Sequence, residues 1–532
     1  MKTFLLFRDR DFDAHFLQQD RFRREPEIKW HQQLRPHERA IVQDLELDTL
    51  LHAMAGDDEF LLDVARKALL SGFQNDVDTV LYRQQALQDC LKNPEAAWAF
   101  YNLTTQTIEI SRKHSWGMST HYPGSLLYNS LDLLESLSVM LRKLRDLAAA
   151  QAGRFASEAF TKLFGTLAKE LDDDYLVTIQ TYLVDLKFRR GTLLSAELGE
   201  WNESTNYVLR LVRGKDPNWF QRLLGKKLSG YTFRLHERDE AGARILGNIR
   251  DRAISRVAIA LAHSADHVLS FFKTLRAELA FYVGCLNLHA RLTAKKEPVC
   301  FPTPVPADER KHRFHGLYDV SLSLHLENRV VGNAADANRK SLVIVTGANQ
   351  GGKSSFLRSI GLAQVMMQCG MFVGAEVFEA ELCPALFTHC KREEDATMMS
   401  GKFDEEIARM SEIVDRLTPN AMLLFNESLA ATNEREGSEI AKQVVCALLE
   451  KGIKIFYVTH LYEFARGMFD QKTESAIFLR AERKADGTRT FRLLEGEPLE
   501  TSYGEDLYRQ IFGLNEGFPM SQSDGARAGS RG

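Results

Sequence analysis

At 532 residues, with 44% hydrophobic and 26% charged side chains, the chain is too long for one ordinary domain and has the composition of a soluble globular protein. No apolar stretch reaches the length of a membrane span, and a formal net charge of −4 excludes a chain coated along its length in nucleic acid, so any polyanion contact must be local. Seven cysteines, scattered without a C-x2-C pair, indicate neither a disulfide framework nor a zinc site, and His389 beside Cys390 lacks further ligands at zinc spacing.

The opening MKTFLLFRDRDFD carries an apolar patch of only four residues before charges resume, too short for a secretory signal, so a cytoplasmic location is expected. Residues 1–40 are rich in Arg, Asp and Phe and are punctuated by two prolines; they read as an N-terminal arm or cap, or as a solvated lead-in to the first long helix. From 41 to 297 helical signals prevail, with breaks at Asn93-Pro94, Pro123-Gly124 and around Pro217. Within Leu131–Leu147, the stripe Leu134, Leu137, Leu141 and Leu144 predicts a helix packed on another helix. A second proline-free run, Ala258–Leu292, carries Ile259, Leu261, Leu269, Phe271, Phe272, Leu275, Leu279, Tyr282, Val283 and Leu286, which are assigned to scaffold.

One piece of this region differs. Residues 208–234 hold seven Lys/Arg (among them Arg210, Arg213, Lys215, Arg222, Lys226 and Lys227) against one acid, Asp216, interleaved with Trp219, Phe220, Tyr231 and Phe233. Basic groups neutralise phosphates and aromatics stack, so this stretch is the candidate nucleic-acid contact; a basic loop at the tip of a helical hairpin is the alternative.

Prolines at 298, 302, 304 and 306 then mark a boundary. Beyond it, strand-like runs Leu342–Thr346, Ala421–Phe425, Lys454–Thr459, Ser475–Leu479 and Arg489–Leu493 alternate with helical runs from Gly352 and near Gly437–Leu449. The alternation predicts an α/β nucleotide-binding domain over 298–516 with a mostly parallel sheet, followed by a small, polar, disordered tail at 517–532.

The chemistry centres on SLVIVTGANQGGKSSF, Ser341–Phe356. Gly347, four residues, Gly352, Lys353 and Ser354 fit the P-loop pattern, in which backbone N–H groups turn inward on phosphate oxygens, the lysine reaches the β/γ-phosphates and the serine hydroxyl ligates Mg²⁺. The expected ATP-binding set is therefore Gly347, Ala348, Asn349, Gln350, Gly351, Gly352, Lys353, Ser354 and Ser355. An ordinary glycine-rich strand-to-helix turn is the plainer reading. Ala421–Phe425 leads into Asn426 and Glu427, with Asn426 placed near Mg²⁺ and Glu427 placed to orient or deprotonate water, or else to cap the next helix. A third strand ends at His460, which is placed either to contact the γ-phosphate and report its loss or, as a lone histidine, to serve the structure.

With those residues in hand, TGANQGGKSSFLRSIGLAQVMMQCGMFVGAE resembles the P-loop and first helix of MutS-family ATPases, MLLFNES their Walker-B strand and THLYEFA their switch-histidine segment. MMSGKFDEEIARMSEIV resembles the family's signature region, and TSYGEDLYRQIFGL its closing helical segment. Upstream, ALLSGFQNDVDTVLYRQQALQDCL is similar to the start of the MutS core and lever helices, and the basic stretch falls where relatives insert a DNA-gripping clamp. The resemblance implies a mainly α N-terminal core/lever domain followed by an α/β P-loop (ABC-type) ATPase domain. It also implies a homodimer in which Ser400 and Gly401 of one chain contact the nucleotide of the other. The family's Walker-B pair is Asp-Glu, whereas Asn426-Glu427 stands here. No segment resembles a mismatch-reading domain, its Phe-x-Glu wedge or a C-terminal nuclease appendage. The expectation is a slow, ATP-dependent protein acting on branched or structured DNA as a dimer. An ATP-gated factor for RNA or the ribosome, and a protein-remodelling ATPase that touches no nucleic acid, remain the alternatives.

Overall fold

The computed structural model describes residues 2–12, 34–115, 122–188, 191–210, 234–392, 401–484 and 487–499. Residues 211–233 of the basic stretch, Ser400, and the closing segment with its tail lie outside the described residues.

In chain order the described helices are α1 Pro36–Asp44, α2 Leu47–Ala55, α3 Glu59–Ser71, α4 Val77–Lys92, α5 Pro94–Ser115, α6 Pro123–Gln151, α7 Glu158–Glu170, α8 Asp173–Leu186 and α9 Glu240–Ala294. They continue with α10 Val320–His325, α11 Lys353–Gln368, α12 Lys402–Val414, α13 Glu434–Glu450 and α14 Tyr462–Asp470. The strands are β1 Leu193–Leu198, β2 Ser204–Arg210, β3 Thr303–Val305, β4 His312–Leu317, β5 Asn333–Asp336, β6 Leu342–Gly347, β7 Val377–Glu381, β8 Leu386–Cys390, β9 Met422–Asn426, β10 Lys454–Val458, β11 Ala476–Arg483 and β12 Arg489–Glu495. Pro94 and Pro123 each open a helix, where proline's missing N–H costs nothing. No described helix is long and apolar enough to cross a membrane.

The chain divides into two units, the first comprising Met1–Pro26, Met54–Ala68 and Leu81–Leu288, the second Glu27–Ala53, Leu69–Val80 and His289–Gly532. The second is α/β. Its six-stranded sheet has the order β12-β11-β6-β10-β9-β8, parallel except for the antiparallel pairing of β11 with the edge strand β12. Strands β6 and β10 are buried along their whole length, as a parallel sheet covered on both faces requires. A four-stranded sheet, β3-β7-β4-β5, accompanies it. The two sheets are tied by an ion pair in which Lys454, opening β10, donates from Nζ to Glu381 Oε1 of β7 at 2.6 Å with both side chains buried.

The first unit is mainly helical. In α6, Leu137, Leu141 and Leu144 are buried as their spacing predicts, while Leu134 is only partly buried against a cluster of Leu127, Leu131, Leu183, Ile254 and Ala258. In α9, Phe271, Phe272, Leu275, Leu279, Tyr282 and Val283 are buried. Ile259, assigned to the scaffold from sequence, is instead 47% exposed. It follows Ala258, which is the residue turned into the cluster, and one residue of helix rotates a side chain by about 100°. The unit also contains an antiparallel hairpin, β1 with β2, within the region where helical signals prevail. Ser204–Arg210 alternates between exposed and half-buried positions, the period of a strand.

The segment ahead of residue 13 is clasped onto this unit. The Glu278 carboxylate of α9 is fully buried and accepts the backbone N–H of Leu5 at 2.7 Å and of Phe12 at 3.0 Å. Tyr282 donates its hydroxyl to Leu5 O at 2.6 Å, and Arg83 donates Nε to Leu6 O at 2.9 Å. Burial pushes the Glu278 carboxyl up to about 7, against the opposing pull of those N–H donors. A folded pKa above the unfolded value means the native state holds the proton more tightly, so this group's contribution is complete below the unfolded pKa and is lost as pH rises toward 7. The melting temperature of the native chain minus that of Glu278→Gln should therefore fall between about pH 4.5 and 7 and level off above. A difference constant across that window, followed by circular dichroism, would show that the carboxyl does not titrate there.

Candidate functional site

Parallel pairing collects three strand ends at one edge of the six-stranded sheet. Val345 of β6 pairs with Val458 of β10, and Val458 with Asn426 of β9. The pattern runs past the strands: Thr459 donates its N–H to Val345 O at 3.1 Å, and Glu427 donates to Val458 O at 2.9 Å. The loop after Gly347, the Asn426-Glu427 pair and the Thr459-His460 pair thus share the carboxyl edge, where open α/β sheets bind ligands.

The loop is closely walled. Gly347 has φ +111°, and a Cβ there would stand 2.8 Å from the backbone nitrogen of Ala481 on β11. A Cβ on Gly351 would stand 2.7 Å from the Ala481 methyl and 2.8 Å from Ala348 O. Ala348 is buried, whereas Asn349 and Gln350 are exposed at the turn, Gln350 with φ +58°. Gly352 caps α11, so Lys353, Ser354 and Ser355 fall in its first turn.

Lys353 is 5% exposed and donates Nζ to Gly347 O and Ala348 O, each at 2.9 Å. Burial pulls its pKa down to about 8; the neighbouring Glu427 charge works against that shift and Arg489 adds to it. Ser354 donates its hydroxyl to Asn426 Oδ1 at 3.0 Å. Two neutral oxygens therefore stand together where the loop enters α11, a donor set suited to a hard divalent cation but lacking a formal charge.

Glu427 follows directly, with φ +54°, and its Oε1 lies 2.8 Å from His460 Nε2. That hydrogen bond, followed by the charges of His460 and Lys353, holds the carboxyl below its usual value although burial opposes it. Glu427 does not cap the following helix; Asn433 does, accepting the Glu436 N–H at 2.9 Å.

The structure thus brings the loop, Lys353, Ser354, Asn426, Glu427 and His460 together. Gly401 is exposed and caps α12 at its N-terminus. Arg210, at the end of β2, is exposed and donates Nε to Ser195 Oγ at 2.9 Å. Arg213, Lys215, Arg222, Lys226, Lys227 and Ser400 fall outside the described residues. Sequence reasoning missed two neighbours of the loop and one residue that braces β12. Arg489 donates Nε to Asn349 O at 2.6 Å, and Ala481 forms the wall described above. Asn333 accepts the Leu493 N–H at 2.7 Å and donates to Phe491 O at 3.4 Å, bracing β12 where it passes Gly352. Only the strand-like run from Arg489 signalled any of them.

Comparison with known proteins finds two matching segments. Residues 75–295 match the MutS2 N-terminal domain, and residues 343–512 match MutS domain V. The chain is similar to the DNA mismatch repair protein MutS of Streptococcus equi subsp. equi, 24% identical over 415 residues that cover 73% of this chain and 46% of that protein. Its likeness to the protein of the same name from Streptococcus mutans is 24% over 403 residues, 71% of this chain and 45% of that one. For Thermotoga maritima the figures are 27% over 209 residues, 39% and 26%. The chain spans under half the length of these curated relatives.

Proposed function

Because the chain belongs to the MutS family, we propose that it is an ATP-dependent DNA-binding protein that hydrolyses ATP slowly in an ABC-type P-loop domain over 298–516. The observation that carries this reading is the convergence of Lys353, the Ser354–Asn426 pair and the Glu427–His460 pair on the edge of one parallel sheet. The residues fit the groups the reading needs. Backbone N–H groups of Gly347 to Gly352 and the start of α11 would hold the phosphates, and Lys353 would exchange its two carbonyl partners for phosphate oxygens. A polyanion beside Lys353 raises its pKa, so the lysine is charged when it is needed.

Ser354 Oγ and Asn426 Oδ1 would hold Mg²⁺, which when bound neutralises charge on the β- and γ-phosphates. Glu427, kept ionised by His460 and Lys353, orients the attacking water and takes its proton. His460 positions Glu427 through the bond at 2.8 Å and is placed to report loss of the terminal phosphate.

The dimeric reading rests on the family resemblance of the segment around Gly401. Each site would be completed by Ser400 and Gly401 of a second copy, ATP favouring the closed pair and hydrolysis releasing it. Residues 41–297 would act as core and lever, with the basic stretch near 208–234, including Arg210, as the DNA contact, and residues 1–40 as an arm. Branched or structured DNA is the proposed target.

Three outcomes are expected. Glu427→Gln should retain ATP binding and lose about 100-fold or more of turnover, measured by phosphate release; undiminished turnover removes Glu427 from the role. Asn426→Asp should lower the Mg²⁺ concentration needed for half-maximal turnover, and an unchanged requirement would count against a metal held at this position. Mixing Lys353→Ala chains with Ser400→Arg chains should recover one working composite site per mixed dimer. Failure of the mixture to exceed either parent in ATP hydrolysis would rule out shared sites.

A further inference from the structure

At the β8 edge of the six-stranded sheet, away from the nucleotide loop, α1, β8 and α12 enclose a cavity of about 110 Å³. Pro36, Ala40, Phe387 and Ile413 give it apolar walls. Arg392, Arg409 and Arg416 also line it, and Glu412, exposed on α12, is the acidic side chain among the lining residues.

Three buried polar atoms on these lining residues have no hydrogen-bond partner among the described residues: the Thr388 hydroxyl, His389 Nδ1 and Arg409 Nε. Thr388 is 5% exposed and His389 1%. His389 Nε2 lies 3.0 Å from Glu406 O, and a carbonyl only accepts, so the ring proton is on Nε2 and Nδ1 presents a lone pair. Burial, with Arg409 beside it, pulls the His389 pKa down to about 4, so the ring is neutral and Nδ1 stays an acceptor. The arginines are unequally committed. Arg392 is paired with Asp44 at 2.7 Å, and both terminal nitrogens of Arg409 donate to Cys390 O at 3.1 Å. Among the described residues Arg416 reaches His37 Nδ1, at 3.2 Å through one nitrogen, and its exposed guanidinium is open to an anion.

A buried acceptor, hydroxyl and guanidinium N–H without partners are costly, and native structures seldom keep them unless a ligand or water answers them. Water alone would satisfy those atoms but would wet Phe387 and Ile413. A bare inorganic anion would meet the arginines, and a hydrogenphosphate O–H could reach His389 Nδ1, but it offers nothing to the apolar walls of Phe387 and Ile413. We propose that this cavity binds a small organic anion, a compact apolar body bearing one carboxylate and one hydroxyl or N–H donor. The carboxylate lies toward Arg416 and Arg409, the donor toward His389 Nδ1, and the body between Phe387 and Ile413. None of these contacts involves the nucleotide loop, although the Ser428 hydroxyl, next to Glu427, donates to His389 O.

The test titrates the full chain with 4-hydroxybenzoate, benzoate and inorganic phosphate, followed by calorimetry and by thermal melting. 4-Hydroxybenzoate should bind saturably, benzoate about tenfold more weakly for want of the bond to the buried acceptor, and phosphate without saturation. Ala40→Leu, which fills the cavity, should abolish binding without lowering the melting temperature, and Arg416→Ala, at an exposed position, should weaken it about tenfold. Lys353→Ala should bind the probe as the native chain does. Absence of saturable binding by any probe, or binding indifferent to both Ala40→Leu and Arg416→Ala, overturns the site. Phosphate binding as tightly as 4-hydroxybenzoate overturns the ligand class.

Discussion

Everything at the nucleotide loop depends on the register in which β9, β10 and β6 lie side by side. Phe425 pairs with Tyr457, and their rings stack at 4.6 Å in the core. The next pair along is therefore Asn426 with Val458, and the next backbone bond is Glu427 N–H to Val458 O. A slip of one residue would send the Phe425 ring to the opposite face of the sheet and break its stack with Tyr457. The packing of two aromatic rings thus fixes where a carboxylate and an amide oxygen emerge. The left-handed backbone at Glu427 then carries the side chain across to His460.

The loop is held from behind as firmly as from the side. Helix α11 is buried along most of its length, so Lys353 and Ser354 cannot shift without disturbing the core. Arg358, just over one turn further on, donates Nε to Asp319 at 2.5 Å and also pairs with Glu46. Inside this rigid frame Lys353 is the strained component, an ammonium group with little solvent whose charge is supported by two carbonyl oxygens and by Glu427. Such an arrangement favours any partner that brings negative charge to the loop, because it restores the stability of an ion that burial has weakened.

The residues of this site were readable in order because their chemistry is local. A glycine pattern, a buried strand ending in Asn426-Glu427 and another ending before His460 can each be recognised within a few residues. The structure moves those strand bounds by a residue or a few, so Asn426 closes β9 rather than following it, and β11 extends to Arg483. The second sheet was illegible for physical reasons. Strand β3 is three residues long inside the proline cluster read as a boundary, and Asn333–Asp336 has no β-branched or aromatic residue. The β1–β2 hairpin was hidden because most of its side chains are exposed, which removes the apolar alternation that marks a half-buried strand. Arg489 and Ala481 reach the loop, and Asn333 reaches β12, only through sheet pairing and loop packing, for which one sequence carries no local sign.

Asn426 is where local chemistry and the surrounding field have to be weighed together. An aspartate there would attract a divalent cation more strongly than the amide oxygen does. It would also place a second negative charge beside Glu427, and like charges that close raise a carboxyl pKa. With asparagine, Ser354 still finds its acceptor at 3.0 Å, and the charges acting on Glu427 include the opposite ones of His460, Lys353 and Lys391. The neutral residue thus weakens the cation's hold while leaving the neighbouring carboxylate more fully ionised before any cation arrives. On the proposed ATPase reading, a site built this way would be limited by assembling its charged ligands rather than by having an ionised base.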